Sequence, residues 1–269
     1  MRKWLWVIGL CLLLMMPAPT PVHAASTHQT VTLYLHGHHG NGQSMLPLIH
    51  DAMWQAQATP ALVAVVNNDG QVSFRGRLPA NANRPLVQVI FMNNHTVDYR
   101  QLRWWLHNVM QGLAQRYGVR QVNIVAHSLG NTAVEWYLLR YGRQPELPRV
   151  VRWVSIAGNF DGIPRMHMQP RHNRIEANGR PDLLAPQYRQ ALLKRRHFPA
   201  VAILNVYGDL QDGSHADGRI LNASSRALGY LVRGQAASYQ EQRFVGRDAS
   251  HRRLRFNRDV ALATDAFLW

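Results

Sequence analysis

Cysteine is nearly missing: Cys11 is the one thiol among 269 residues, and it sits within an apolar N-terminal stretch. A disulfide framework, a cysteine nucleophile and a thiolate metal site are therefore excluded for the rest of the chain. Leu10 precedes it where a lipoprotein cysteine requires a small residue. Lysine is almost as scarce, with Lys3 and Lys194 the two present. Acidic residues are few as well, 15 Asp+Glu against 30 Lys+Arg. Internal repeats and low-complexity linkers are absent, which argues for one domain. No long apolar run is present apart from 5–16, which is short for a membrane span. Helix-turn-helix, zinc-finger and ribonucleoprotein signatures are also missing, and the arginines are spread along the whole chain, so no nucleic-acid partner is expected.

The N-terminus reads as a targeting segment. Arg2 and Lys3 form a positive n-region, 5–16 an apolar h-region, and Val22-His23-Ala24 a small-x-small cleavage site. Residues 1–24 are expected to be a signal peptide cut after Ala24 or Ala25, giving a secreted or cell-surface protein. Removal of Arg2 and Lys3 lowers the formal charge from +15 to +13. A basicity that is almost wholly arginine suits association with anionic envelope polymers or lipid head groups.

The mature chain, 25–269, has enough apolar content (46 %) to build a large core. It alternates strand and helix patterns. Strands are expected at 30–35, 61–67, 71–75, 86–91, 121–125, 150–156, 200–207 and 239–245. Asn68-Asp69-Gly70 marks a hairpin between the second and third. Helices are expected at 44–57, 102–117, 132–141, 186–196, 223–232 and 258–268. Leu102, Trp105, Leu106, Val109, Leu113 and Tyr117 form one helical stripe. This order predicts a three-layer α/β fold with a mostly parallel central sheet and helices on both faces. Between about 160 and 198 the periodicity fades into prolines and arginines, and a lid insertion is expected there. Within it Met166-His167-Met168 reads as an apolar patch of the lid.

The chemistry centres on Ala126-His127-Ser128-Leu129-Gly130-Asn131. A β-branched run precedes it and an apolar helix follows, the context of a nucleophile elbow with Ala in the first small position. Serine is a weak nucleophile until an adjacent base, itself oriented by a carboxylate, takes its proton. Where the order is Ser, then acid, then His, the base is His251, which follows the last strand. His215 precedes that strand and fits less well. The loop from Gly208 to Gly218 offers Asp209, Asp212 and Asp217. Asp217, followed by Gly218 and leading to a helix, is the expected acid; Asp209 is the alternative and Asp212 stands behind both. A calcium loop does not match the spacing.

An oxyanion needs preorganised N–H donors. Leu129, directly after the serine, supplies one. The glycine-rich turn His36-Gly37-His38-His39-Gly40 supplies the other, from His38 or else His39, with His36 and Gly37 bracing it. His127 is expected to pack or orient. The turn's three histidines could be read as metal ligands, but no carboxylate stands at a familiar zinc spacing, so neither a metal nor any other cofactor is expected.

Taken together, His36-Gly37 with its glycine-rich turn, the Ser128 elbow, the Tyr207-Gly208-Asp209 to Asp217-Gly218-Arg219 stretch and His251 resemble the α/β-hydrolase superfamily. Ile156-Ala157-Gly158-Asn159-Phe160-Asp161-Gly162 is similar to exported bacterial cell-surface hydrolases in particular. The resemblance implies a serine hydrolase acting on esters, with Ser128, Asp217 and His251 as triad and a small ester or lipid as substrate. A lipase or acyltransferase with the same triad, and an envelope-binding protein that has kept the fold without activity, are the alternatives.

Overall fold

The computed structural model describes residues 29–164 and 172–269. The expected signal peptide and the Met166-His167-Met168 patch lie outside the described residues. Eight strands run β1 (Thr30–Leu35), β2 (Thr59–Val66), β3 (Val72–Gly76), β4 (Pro85–Phe91), β5 (Gln121–His127), β6 (Arg149–Ile156), β7 (Ala202–Asp209) and β8 (Ser238–Val245). Six α-helices join them: α1 (Leu46–Gln55), α2 (Tyr99–Tyr117), α3 (Leu129–Tyr141), α4 (Pro186–Lys194), α5 (Asn222–Val232) and α6 (Arg258–Leu268).

The strands form one sheet in the order β3-β2-β4-β1-β5-β6-β7-β8. Only the β2–β3 hairpin is antiparallel; every other neighbouring pair is parallel. Alternation along the strands divides the core. Val31, Leu33, Leu35, Ile124, Ala126 and Trp153 face one layer with the stripe of α2 and with α3, α4 and α5. Tyr34, Val125, Val154 and Ile156 face the other, under α1 and α6. This is the expected three-layer α/β architecture. Asp98 caps α2 by accepting from the Arg100 N–H, and Gly118 closes it in the left-handed conformation.

Part of the segment 160–198, where a lid is expected, packs into the helical layer. Parallel neighbours β6 and β7 need a crossover, and α4 provides it. Pro186 starts this helix, where its missing N–H costs nothing. Tyr188, Ala191 and the following Phe198 are buried in the same core as α3, so this half of the segment belongs to the helical layer. The helix is short and buries one narrow face, Tyr188 and Ala191, while Leu193 is exposed, which is why its periodicity is hard to see.

The sheet brings the C-terminal ends of β1 and β5 side by side, with Leu35 opposite Ala126. The ends of β7 and β8 lie further along the same edge. In a parallel sheet this edge is where ligands bind.

Candidate active site

Val122 to His127 are buried, as a central parallel strand requires. The chain then turns so sharply that Ser128 takes φ +53°, ψ −126°, and α3 begins at once with Leu129. A non-glycine residue pays about 1–3 kcal/mol for such a conformation. Four hydrogen bonds hold it there. The Ser128 N–H donates to the Ile156 carbonyl at 2.9 Å and Asn131 N–H to the Ser128 carbonyl at 2.9 Å. The Asn131 side chain donates to the Ile156 carbonyl at 3.0 Å and accepts from Trp153 Nε1 at 3.1 Å. The helix was expected to start at Thr132; it starts earlier because the elbow feeds straight into it. Small neighbours are obligatory. A Cβ on Gly130 would lie 2.7 Å from the His36 carbonyl oxygen, and one on Gly37 2.8 Å from the Ser128 Cβ.

His251 Nε2 lies 2.9 Å from Ser128 Oγ, and its Nδ1 lies 2.7 Å from Asp217 Oδ2. A carboxylate can only accept, so Nδ1 carries the proton and Nε2 is left to accept from the serine hydroxyl. Asp217 is buried, and its Oδ1 accepts the Arg219 and Ile220 N–H groups at 2.9 and 2.7 Å. The main chain of His251 is tied on both sides: its N–H donates to the Asp217 carbonyl at 2.8 Å, and its carbonyl accepts from His127 Nε2 at 2.8 Å. His127 is thus an orienting residue. Burial, helped by nearby His251 and Arg255, holds its pKa well below the usual imidazole range.

The other two aspartates are engaged elsewhere. Asp209 accepts from Arg243 at 2.7 Å, Asn222 at 2.8 Å and the Gln211 N–H at 2.9 Å. Asp212 is exposed and bonded to Ser214, which lowers its pKa. His215 is exposed and outside the Ser128 cavity.

Leu129 is the first residue of α3, so its N–H has no partner within the helix. In the β1 turn, the His39 N–H is committed to the Asn94 carbonyl at 2.8 Å, whereas that of His38 makes no hydrogen bond among the described residues. This separates the two oxyanion candidates in favour of His38. His36 braces the turn: its Nδ1–H donates to the Gly37 carbonyl at 2.8 Å and its Nε2 accepts the Phe91 N–H at 3.1 Å. Burial keeps the ring's pKa low.

Those bonds remove His36 from any ligand set. The trio that does converge is His38, His39 and His95, with donor atoms within 4.8 Å of one another. His95 comes from the loop after β4 and was not singled out in the sequence, because it approaches only once β4 lies beside β1. The trio holds no carboxylate, and the nearby Arg219 charge joins burial and the neighbouring imidazoles in depressing His38, an adverse setting for a cation.

Ser128 opens into a cavity of about 200 Å³, smaller than most ligand clefts. His38, His39, His127, Arg219, Arg252 and Arg255 line it with His251 and small residues. Among the described residues no aliphatic side chain, no aromatic carbocycle and no carboxylate contributes, and nothing from 160–198 reaches it.

The elbow and the strand-end site on a parallel sheet define a hydrolase of the α/β-hydrolase fold. Residues 19–269 match the family described as alpha/beta hydrolase of unknown function (DUF915), and the chain belongs to that family. A Listeria innocua gene product has a similar solved structure, 27 % identical, with TM-score 0.81 over 89 % of this chain and 94 % of its own. A protein from Lactobacillus plantarum described as a cell surface hydrolase is 18 % identical, with TM-score 0.74 over 90 % and 92 %. The Bacillus subtilis carboxylesterase CesB shares the fold more distantly, at 15 % identity and TM-score 0.52 over 91 % and 85 %. No curated protein matches.

Proposed function

We propose that the protein is an exported serine hydrolase that cleaves carboxylic esters through an acyl-enzyme. The observation that carries this reading is the unbroken hydrogen-bonded line from Ser128 through His251 to Asp217 at the end of the sheet. Ser128 Oγ attacks the ester carbonyl while His251 Nε2 takes its proton. The developing oxyanion is met by the N–H groups of Leu129 and His38. On collapse the C–O bond to the alcohol breaks, and the alcohol leaves with the proton from Nε2. Water then attacks the acyl-serine, gives its proton to Nε2, and the acid departs as the serine is restored. The carboxylesterase among the structural neighbours is in keeping with this class at the level of fold.

Within the class, the small polar cavity favours a short or polar acyl group over a long chain, and so an esterase over a lipase. Export rests on residues 1–24; mass spectrometry of the mature protein should find it starting at Ala25 or Ser26. Attraction of the arginine-rich surface to anionic envelope polymer is part of the same reading and would show as salt-sensitive binding by Ser128→Ala protein.

The test is hydrolysis of chromogenic acyl esters of increasing chain length by wild type, Ser128→Ala and His251→Ala. Turnover by wild type with short esters, and a loss of at least about 10³-fold in both variants, is expected. Equal rates in all three, together with no labelling of Ser128 by a fluorophosphonate, would overturn the proposal. Product analysis with an added alcohol separates hydrolysis from acyl transfer.

A further inference from the structure

Ion pairs between an arginine and a carboxylate are few among the described residues. Arg226 pairs with Glu241 at 2.9 Å, Arg243 with Asp209 at 2.7 Å and Arg253 with Asp248 at 3.1 Å. Three further arginines gather in the Ser128 cavity. Arg219 arrives on the acid loop and Arg252 and Arg255 on the segment after the base, and none has an ion-pair partner among the described residues. The segregation is local: Arg253 lies between Arg252 and Arg255 in sequence, yet it alone is neutralised.

These side chains are also restrained. Arg255 donates through Nη1 to the Ser44 carbonyl, while its buried Nε has no partner among the described residues. The guanidinium groups of Arg252 and Arg255 lie 6.0 and 5.6 Å from the centre of the Phe256 ring. Burial and the neighbouring Arg252 charge both lower the Arg255 pKa. No carboxylate lines the cavity among the described residues, and Asp217, behind His251, is buried and directed at it. Any negative charge that answers three arginines must therefore arrive with the ligand.

We infer that the substrate is a small ester carrying its own anionic group, a carboxylate or a phosphate, which the Arg219, Arg252 and Arg255 side chains bind while the ester carbonyl meets Ser128. The inference rests on the ester-hydrolase reading for its reaction but not for its binding site. Guanidinium groups suit either anion, because their planar N–H forks match the oxygens of both.

Binding is measured by calorimetry on full mature Ser128→Ala protein, which cannot turn the ligand over. The probes are two pairs of an anionic ester and a neutral counterpart: monomethyl succinate against its isostere methyl levulinate, and 1-acetylglycerol 3-phosphate against the unphosphorylated 1-acetylglycerol. The anionic member of at least one pair is expected to bind about tenfold or more tighter at low salt, and most of that preference should vanish at 0.5 M salt. The pair with the larger ratio identifies carboxylate or phosphate. Arg219→Gln combined with Arg252→Gln, both exposed positions, should reduce the ratio to about twofold. Arg116→Gln, at the far end of α2 over Phe74, should leave it unchanged. Equal affinity within both pairs, or a ratio that survives the double substitution, overturns the inference. Failure of the ester-hydrolase reading looks different: anion-selective binding with no turnover of any ester by wild type.

Discussion

Substituting Asp217 by Asn tests the triad at a single atom. Asp217 Oδ1 accepts two main-chain N–H groups, from Arg219 at 2.9 Å and Ile220 at 2.7 Å, while Oδ2 accepts from His251. In the asparagine the carbonyl oxygen must occupy the first position, since only an acceptor satisfies both donors. The amide NH2 is then aimed at His251 Nδ1. It can only donate, so Nδ1 loses its proton, Nε2 gains one, and the imidazole can no longer accept from Ser128. Flipping the amide would restore the tautomer but orphan the buried Ile220 N–H, at about 1–3 kcal/mol, and the half-buried Arg219 N–H at somewhat less. A penalty of about 2–5 kcal/mol corresponds to a productive fraction of roughly 3 × 10⁻² to 2 × 10⁻⁴. Loss of the charge that stabilises the imidazolium adds to this, so kcat should fall by about 10³–10⁴ while the fold persists. The assay is hydrolysis of a short chromogenic ester at pH 6–9, with circular dichroism confirming the fold. Asp209→Asn is the comparison: its partners are Arg243, Asn222 and the Gln211 N–H, so it should lose stability and keep activity within about threefold. Retention of more than a tenth of the activity by Asp217→Asn, or the larger loss appearing in Asp209→Asn, would refute the argument.

Gly130→Ala would push a methyl to within 2.7 Å of the His36 carbonyl oxygen and 3.1 Å of that of Leu35; neither backbone atom can yield, and urea denaturation should register a loss of about 2–4 kcal/mol. His36→Ala removes the acceptor for the buried Phe91 N–H, costing about 1–3 kcal/mol and displacing the oxyanion turn, whereas His38→Ala keeps its main-chain donor and should retain kcat within about tenfold. Asp265 is pushed up to about 7, by burial first and then by Asp51. Its carboxyl therefore holds a proton in the folded state that the unfolded chain releases, so it subtracts stability progressively as pH rises from about 4 to about 7. Asp265→Asn should raise stability by about 1–2 kcal/mol at pH 8, a figure that allows for solvent screening, and by almost nothing at pH 3.5. Equal melting-temperature gains at both pH values would contradict that assignment.

The three-layer fold was legible because β-branched runs such as 121–125 and the stripe from Leu102 to Leu113 carry distinct periods. The elbow was legible because its backbone demands small residues at fixed offsets. What resisted reading depends on proximity that chain order does not encode. Asp209 ends β7 and Asp217 lies in the loop after it, and the donors that meet their oxygens tell them apart. His95 joins His38 and His39 because β4 lies beside β1, an adjacency of the sheet rather than of the sequence. Arg252 and Arg255 cannot be told from Arg253 until the turns after His251 set their directions. Glu135, buried in α3, has a carboxyl without a hydrogen bond among the described residues, and burial raises its pKa well above the usual carboxylate range. On a helix buried nearly all round, no polar face announces such a residue.

The double tether on His251 has a mechanical consequence. β8 is an edge strand with one neighbour and largely exposed residues, the kind of element that frays first. The loop carrying the base hangs from that strand. Yet its main chain is clamped to the acid loop by one hydrogen bond and to the residue beside the nucleophile by another. The reacting residues thus lock to one another and are insulated from breathing at the rim. On warming, amide exchange along β8 should run ahead of inactivation, with the triad surviving as a small rigid unit while the edge beside it opens and recloses.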